Sequence, residues 1–438
     1  MLIGYIFSGG NRWKRMNILL LDGHSPATLA ILRSLSRGGY RVDLGIDSGS
    51  FFLCGFSRYA REKVVYPSPT KNVKEFLDFF VSLINEKIYD FILPVTDRTS
   101  VPFHFHRSAF RHSPTLILPS PDSLEVTLDK RKTLELAGRL GIPQPKTISP
   151  GSRAELEAHF PGGERKNILN DLSTEFQFPV VVKACRSKMI EDGILISDSE
   201  PLFANSREEL FSAWDKKNRE IPQPLIQEYI PGEGYGIFVL MKDGELLSLF
   251  AHHRLREEEP MGARSSYCES IAPPPMMKEY ALKLLREIKW TGPAMVEFKL
   301  DRRDNIPKLM EINGRFWGSL PLAVAAGVDF PSLYFQMLEQ NRDSSQLVVQ
   351  DFSPASCDYK TGLKARYLYA DIQHLINVFH GPPYDWITDY PGKWKTLLKF
   401  LQSFFTTNKY FNIDFRDPLP GIMENYRFIQ ARIQRIFK

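Results

Sequence analysis

The sequence predicts an α/β and α+β protein. A parallel, Rossmann-like layer is expected over residues 16–119, a domain with an antiparallel sheet over 120–335, and a helical, aromatic-rich, basic segment over 336–438. Three observations carry this. Apolar runs of strand length alternate with helix-period segments up to residue 97, the pattern of a parallel sheet. A helical stretch starting near residue 120 ends on Gly141 with Pro143 and Pro145 behind it, which marks a domain border. Beyond that border, strand signals follow one another with a single amphipathic helix among them.

MNILLLDG (16–23) is an apolar run closing on Asp-Gly. In SPATLAILRSLSRGGY (25–40), Ala27, Leu29, Ile31, Leu32 and Leu35 recur at roughly helical spacing. YRVDLGID (40–47) supplies the next strand, and a helix over 72–87 leads into YDFILPVTD (89–97). The turn after the first strand, DGHSPA, is not GxGxxG, so a Rossmann-like scaffold here does not imply a dinucleotide. SPDSLEVTLDKRKTLELAGRLGIPQPKT (120–147) reads as one helix and its exit, and residues 150–167 as a polar, Gly-rich connector. Strands are then predicted at FPVVVKAC (178–185), PLIQEYI (224–230), YGIFVLMKDGELLSLFAHHRL (235–255), AMVEFKLD (294–301) and PKLMEI (307–312), with a helix at YALKLLREIKW (280–290).

With 438 residues, 43% of them hydrophobic, the chain can bury a large core. Its longest apolar stretches, 81–95 and 321–328, are too short or too interrupted by charge to span a bilayer. The first fifteen residues set a short apolar run before a basic cluster, the reverse of a secretory signal, and read as a loose extension before Met16. Cys54, Cys185, Cys268 and Cys357 form no CxxC pair, so neither zinc nor a disulfide framework is expected, and a reducing cytoplasm fits. Of the net charge of +5, residues 391–438 hold nine Lys or Arg against three Asp or Glu. The rest is therefore near neutral, which argues against nucleic acid as a partner of the core domains.

Chemistry concentrates in a few places. Lys183 ends a β-branched run, and Lys130 stands where a helix begins; neither belongs to a GxxxxGK[ST] loop, which the chain lacks. PLIQEYIPGEGYG (224–236) is a strand leaving through Pro-Gly with Glu228 and Glu233 beside the exit. Such an end can offer backbone groups to an adenine edge and a carboxylate to a ribose, although a strand ending in a Pro-Gly turn is far more often a plain hairpin. In LMEIN, period-two alternation puts Leu309, Glu311 and Asn313 on one face, and in AMVEFKLD it carries Glu297 between Val296 and Phe298. Two carboxylates and an amide oxygen on neighbouring strands are the hard ligands Mg²⁺ takes. A solvated sheet face explains the acids but not the amide and Arg315 beside them. His104, His106, His252 and His253 come in pairs too sparse for a metal site.

Taken in order, DK…GIPQPKT, FPVVVKA, LIQEYIPGEGYG, MVEFKLD and LMEINGRFWGS resemble the ATP-grasp superfamily of ATP-dependent ligases over about residues 16–330. SRYAREKVVYPSP (57–69), FILPVTD (91–97), HHRLREEEPMGARSS (252–266) and EINGRFWGSLPLAVAAGVDFP (311–331) resemble its carboxylate–amine ligase ("carboligase", D-aspartate ligase-like) branch. The resemblance implies an ATP-grasp domain of two subdomains behind a pre-ATP-grasp domain. It implies that Lys130 and Lys183 grip phosphates, that Glu228, Tyr229 and Ile230 form the adenine hinge, and that Glu233 meets the ribose. Glu297, Glu311 and Asn313 would hold Mg²⁺ or Mn²⁺, Arg315 would face the transferred phosphoryl or acyl group, and Arg264, preferred over Arg254 and Arg256, would add a phosphate contact. In place of a glycine-rich lid the chain reads ACRSKMIEDGI (184–194), in which Arg186 or Lys188 would touch phosphate.

The implied reaction is ATP-dependent formation of an acyl phosphate from a small carboxylate, then its capture by an amine. Two rivals stand beside it: a carboxylase-like phosphorylation of bicarbonate, and a catalytically silent ATP-binding module. A homodimer is compatible with each. In GKWKTLLKFLQSFF (392–405), Trp394, Leu397, Leu398, Leu401, Phe404 and Phe405 follow helical spacing among lysines. The expectation is a stripe packed on the core, the alternative a helix laid peripherally on anionic lipid.

Overall fold

The computed structural model describes residues 16–86, 88–110, 116–160, 176–262, 264–342, 358–387 and 390–436; the extension before Met16 and Cys357 lie outside them. The N-terminal sheet is fully parallel, with β1 (Asn17–Leu20), β2 (Arg41–Asp47), β3 (Lys63–Tyr66) and β4 (Phe91–Leu93) in the order β3-β2-β1-β4. Ile18, Leu19 and Leu20 are fully buried, so β1 is covered on both faces and reads as an unbroken apolar run. The helix Pro26–Arg37 starts where Ser25 accepts from the Ala27 amide and Pro26 supplies a preset φ. On the other face, Tyr66, Phe76, Phe80 and Phe103 pack edge to face.

The single helix expected over 120–147 is two, Pro121–Leu128 and Lys130–Arg139. Asp129 breaks it: its backbone is extended (φ −108°, ψ 109°) and its carboxylate accepts from the Arg131 amide. Asp129 thus caps a new helix and sets Lys130 at its first turn. A second sheet orders β5 (Thr147–Ile148), β10 (Leu225–Glu228), β6 (Val180–Lys183) and β9 (Leu202–Ala204) as β5-β10-β6-β9. Between β6 and β9, β7 (Lys188–Glu191) and β8 (Ile194–Ser197) form a hairpin about Asp192 and Gly193, both at positive φ. The stretch expected as a lid is this hairpin, and it is docked on the N-terminal unit. Val73 N donates to Gly193 O (2.8 Å), Leu195 N to Pro69 O (2.9 Å), and Leu195 is buried among the N-terminal aromatics.

The third sheet has seven strands: β11 (Gly232–Lys242), β12 (Glu245–Glu257), β13 (Ser265–Ser270), β14 (Gly292–Asp301), β15 (Pro307–Asn313), β16 (Lys364–Arg366) and β17 (Lys409–Tyr410). They run in the order β15-β14-β11-β12-β13-β16-β17. One prediction fails here. Glu297 pairs with Glu311 but Phe298 pairs with Leu309, so Met310 is the extra residue of a bulge. Alternation breaks, and Leu309 and Ile312 both enter the apolar core. Glu311 and Asn313 keep the other face, opposite Glu297 and Met295.

The C-terminal segment is not an appended tail. The helix Phe330–Arg342 runs across the border expected at 335, and β16 and β17 extend the sheet. Buried Arg33, on the first helix, donates to Asp417 (2.9 Å). One apolar core joins Leu32 and Leu35 of that helix to Phe238, Phe250, Trp317 and Phe330. Among the described residues no helix is long and apolar enough to cross a membrane.

Candidate nucleotide and metal site

Glu297 and Glu311 face each other across β14 and β15, both partly buried. Burial, with the Glu311 charge adding to it, pushes the Glu297 carboxyl up against the pull of Arg254. Burial also acts on Glu311, yet Lys130, the Asn313 amide, Lys183 and Arg315 hold it below the usual carboxylate range. The Asn313 amide donates to Glu311 Oε1 (2.8 Å), and its Oδ1 accepts from Arg315 Nη2 (3.0 Å). Two like charges held this close call for a cation between them, and their hard oxygen donors fit Mg²⁺. Glu297, Glu311 and Asn313 would be the ligands. Among the described residues no group of three or more His, Cys, Asp or Glu side chains is placed to hold a metal, so the remaining ligands would come from phosphate and water.

Both predicted lysines reach this pair. Lys130 Nζ lies 4.0 Å from Glu311 Oε2 and donates to Ser187 Oγ (3.3 Å), while its backbone amide bonds to Cys185 O just past β6 (2.9 Å). Lys183 takes the face of β6 opposite Val180 and Val182. Burial, then Lys130 nearby, brings its amine down to about 8, with Glu311 and Glu297 pulling the other way. The pocket beside Lys130 and Glu311 is narrow, about 20 Å³, and is lined also by Ser187, Lys188, Asn313 and Asp97, among others.

The stretch expected as a hinge follows β10. Glu228 is pinned by Arg303 Nη2 (2.7 Å) and by the Lys146 amide (3.2 Å). Ile230 is buried, and its carbonyl accepts from Lys299 Nζ (3.5 Å). Tyr229 meets Phe203 edge to face at 5.9 Å and Trp386 at 6.4 Å, so the C-terminal segment braces the hinge.

Two predicted residues stand apart. Alternation along β11 turns Glu233 to the sheet face opposite Glu297, where it bonds to His253 Nε2 (2.9 Å). Arg264 pairs with Glu258 and lies over the Tyr369 ring at 5.4 Å. The arginine that reaches the carboxylates is Arg254, which donates to Glu297 and to Glu257 (2.8 Å). It must cross β11 to do so, and it passes over Gly234, where an added Cβ would lie 2.8 Å from Arg254 Cδ. The alternating glycines of GEGYG were the available signal. Arg256 instead bonds to Asp371 (2.6 Å). Of the lid residues, Arg186 pairs with Glu125 and Asp129, and Lys188 donates to Ser197 Oγ (2.7 Å).

Two further residues were missed. Lys299 shares the Glu297 face, one alternation further on, and burial lowers its amine against the pull of Glu257 and Glu297. Asp97 opens the helix Asp97–Phe105 of the N-terminal unit and accepts from Arg315 Nε (3.0 Å). That contact joins the N-terminal sheet to the carboxylate strands, and no sequence spacing announces it.

The paired sheets, the two lysines and the facing carboxylates define an ATP-grasp fold. Residues 220–362 match the family described as "ATP-grasp in the biosynthetic pathway with Ter operon". Over those residues the chain is similar to ATP-grasp proteins, and its fold is the ATP-grasp fold. It resembles the crystal structure of L-amino acid ligase from Bacillus licheniformis (TM-score 0.56, 17% identity, 80% of this chain and 78% of that one). It also resembles the biotin carboxylase domain dimer of Hydrogenobacter thermophilus 2-oxoglutarate carboxylase, solved with MgADP and bicarbonate (TM-score 0.59, 16% identity, 80% and 73%). Carbamoyl phosphate synthase large chain from Saccharolobus islandicus is 25% identical over 247 residues, covering 50% of this chain. The chain spans about a fifth (21%) of the length of the curated relatives it matches.

Proposed function

We propose that this chain is an ATP-dependent carboxylate–amine ligase that joins a small carboxylate to an amine through an acyl phosphate. The observation that carries the reading is the convergence of Lys130 and Lys183 on the Glu297–Glu311 pair, with Arg315 bridging from Asn313 to Asp97 of the N-terminal unit. Lys130 and Lys183 would bind the phosphates and offset their charge, and the hinge at Glu228–Ile230 would hold the adenine. Mg²⁺, when bound, supplies further charge neutralisation at the transferred phosphoryl group. Arg315 presents a planar fork, which suits a carboxylate or the oxyanion formed from it. The docked hairpin keeps water from an acyl phosphate that would otherwise hydrolyse.

Carboxylate attack on the γ-phosphate releases ADP, and amine attack then expels phosphate. The substrates would enter beside Arg315 and Asp97, just beyond the C-terminal ends of the N-terminal strands. The test is ADP release across panels of carboxylates and amines, with mass spectrometry of the product. ADP release that needs both a carboxylate and an amine, with an amide product, supports the ligase. Release driven by bicarbonate alone assigns a carboxylase-like step, and ATP binding without turnover under every pair assigns a silent module.

A further inference from the structure

Two helices of the C-terminal segment carry their apolar stripes outward. In Lys393–Thr406 only Thr396, Phe400 and Ser403 are buried. Trp394, Leu398, Leu401 and Phe405 succeed one another at helical spacing and are 73, 68, 50 and 91% exposed. In Leu419–Ile436 the same spacing leaves Leu419, Ile422, Tyr426 and Ile429 each more than half exposed. Phe415, in the connection between them, is 99% exposed. Packing of the Lys393–Thr406 stripe on the core, expected from its sequence, does not occur. Isolated exposed apolar residues are ordinary, but two whole stripes turned outward mark an interaction surface.

The charges around these stripes are sorted by sign. Asp414 is held by Arg37 (2.9 Å) and Lys409 (3.1 Å), Asp417 by Arg33, and Glu424 by Tyr367 and the Asn412 amide. All three acids of residues 391–438 are thus turned into the protein. Lys393, Lys395, Lys399, Arg416 and Arg427 are exposed, and the helix Lys393–Thr406 contains no acid at all. Beside it, Leu375, Ile376, Phe379, His380 and Leu397 line an apolar groove of about 420 Å³.

We infer that this face is a peripheral membrane-binding surface, occupied by an anionic lipid bilayer. A surface whose outward charge is all positive and whose outward apolar groups are Trp, Phe, Leu and Ile matches such a bilayer twice over. Basic side chains meet the headgroups, and the aromatic and aliphatic ones enter the acyl boundary. A second copy of the chain would bring the same positive charges against themselves. This inference is independent of the ligase reading.

The experiment is flotation of the full chain with phosphatidylcholine vesicles, with and without phosphatidylserine, at low and high salt. Co-flotation with the anionic vesicles alone, weakened by salt, is the expected result. Each of K393E, K395E and K399E should weaken it by about fivefold or more. L398D and F405D should abolish it while leaving ATP binding and the melting temperature unchanged, since both side chains are in solvent. Absence of flotation at low salt overturns the proposal, as does equal binding to neutral vesicles. A concentration-dependent dimer abolished by L398D, without vesicle binding, would assign the face to a second copy instead.

Discussion

The seven-stranded sheet carries two clusters of charge, one near each edge, and they are built on opposite principles. Near β16, Asp371 accepts from Arg256 (2.6 and 2.8 Å), from Arg366 (2.6 Å) and from Ser266 (3.3 Å). Arg366 is itself fully buried, 4.3 Å from the rings of Phe400 and Phe404. At β14 and β15 two carboxylates face each other instead, with an amine brought down to about 8 beside them. Opposite charges closed on each other hold a fold together; like charges left facing await a ligand.

Five substitutions would break or sharpen that contrast. E311Q removes a full charge from the carboxylate face without changing its shape, and turnover should fall about a thousandfold or more if that face holds Mg²⁺ as proposed. Stability should move by less than about 1 kcal/mol. Near-normal ADP release from folded E311Q would move Glu311 into the structural class. D371N is the mirror case: two guanidinium groups lose their buried acceptor, and urea unfolding should register a loss of about 3–5 kcal/mol. ATP affinity of whatever remains folded should be unaltered, and a stable D371N with weakened ATP binding would erase the distinction.

K183A should weaken ATP binding by about 1.5–3 kcal/mol, the scale of a charge-assisted hydrogen bond. Because Lys183 is brought below its ordinary value, to about 8, the free protein loses this positive charge as the pH rises past that point. ATP affinity, followed by titration calorimetry, should therefore be level below about pH 8 and decline above it. K183R should remove the decline. A pH profile identical in wild type and K183R would detach Lys183 from the phosphates. Smallest is R315K, which keeps the charge and loses the fork to Asp97 and Asn313. Ligation should drop by about tenfold with ATP binding retained, whereas equal loss of both would put Arg315 in the nucleotide pocket.

Much of the site was legible because its elements are local. β-Branched runs, Pro-Gly exits and the LMEIN pattern each occupy a few residues, and Lys130, Lys183, Glu297, Glu311 and Asn313 do converge. The readings that failed crossed an element. Glu233 was read from its distance to the strand exit, whereas the strand continues through it and alternation turns it away. Arg264 is the residue preferred from sequence, but Arg254 has the bare glycine track to Glu297. The stripe of Lys393–Thr406 was correct as a stripe and wrong in direction, since helical spacing fixes which residues share a face and not where that face points.

The sequence by itself determined the element types, the fold class and most of the charged residues of the candidate site. Hydrophobic period, turn residues and caps act within one or two turns of chain. Tertiary structure alone decided which charges meet. The Met310 bulge separates Leu309 from Glu311, Asp97 crosses 218 positions of sequence to Arg315, and Asp417 closes on Arg33 from 384 positions away. Those contacts depend on the register and docking of whole elements, set by the summed burial of the shared core, and no local stretch of chain encodes that sum.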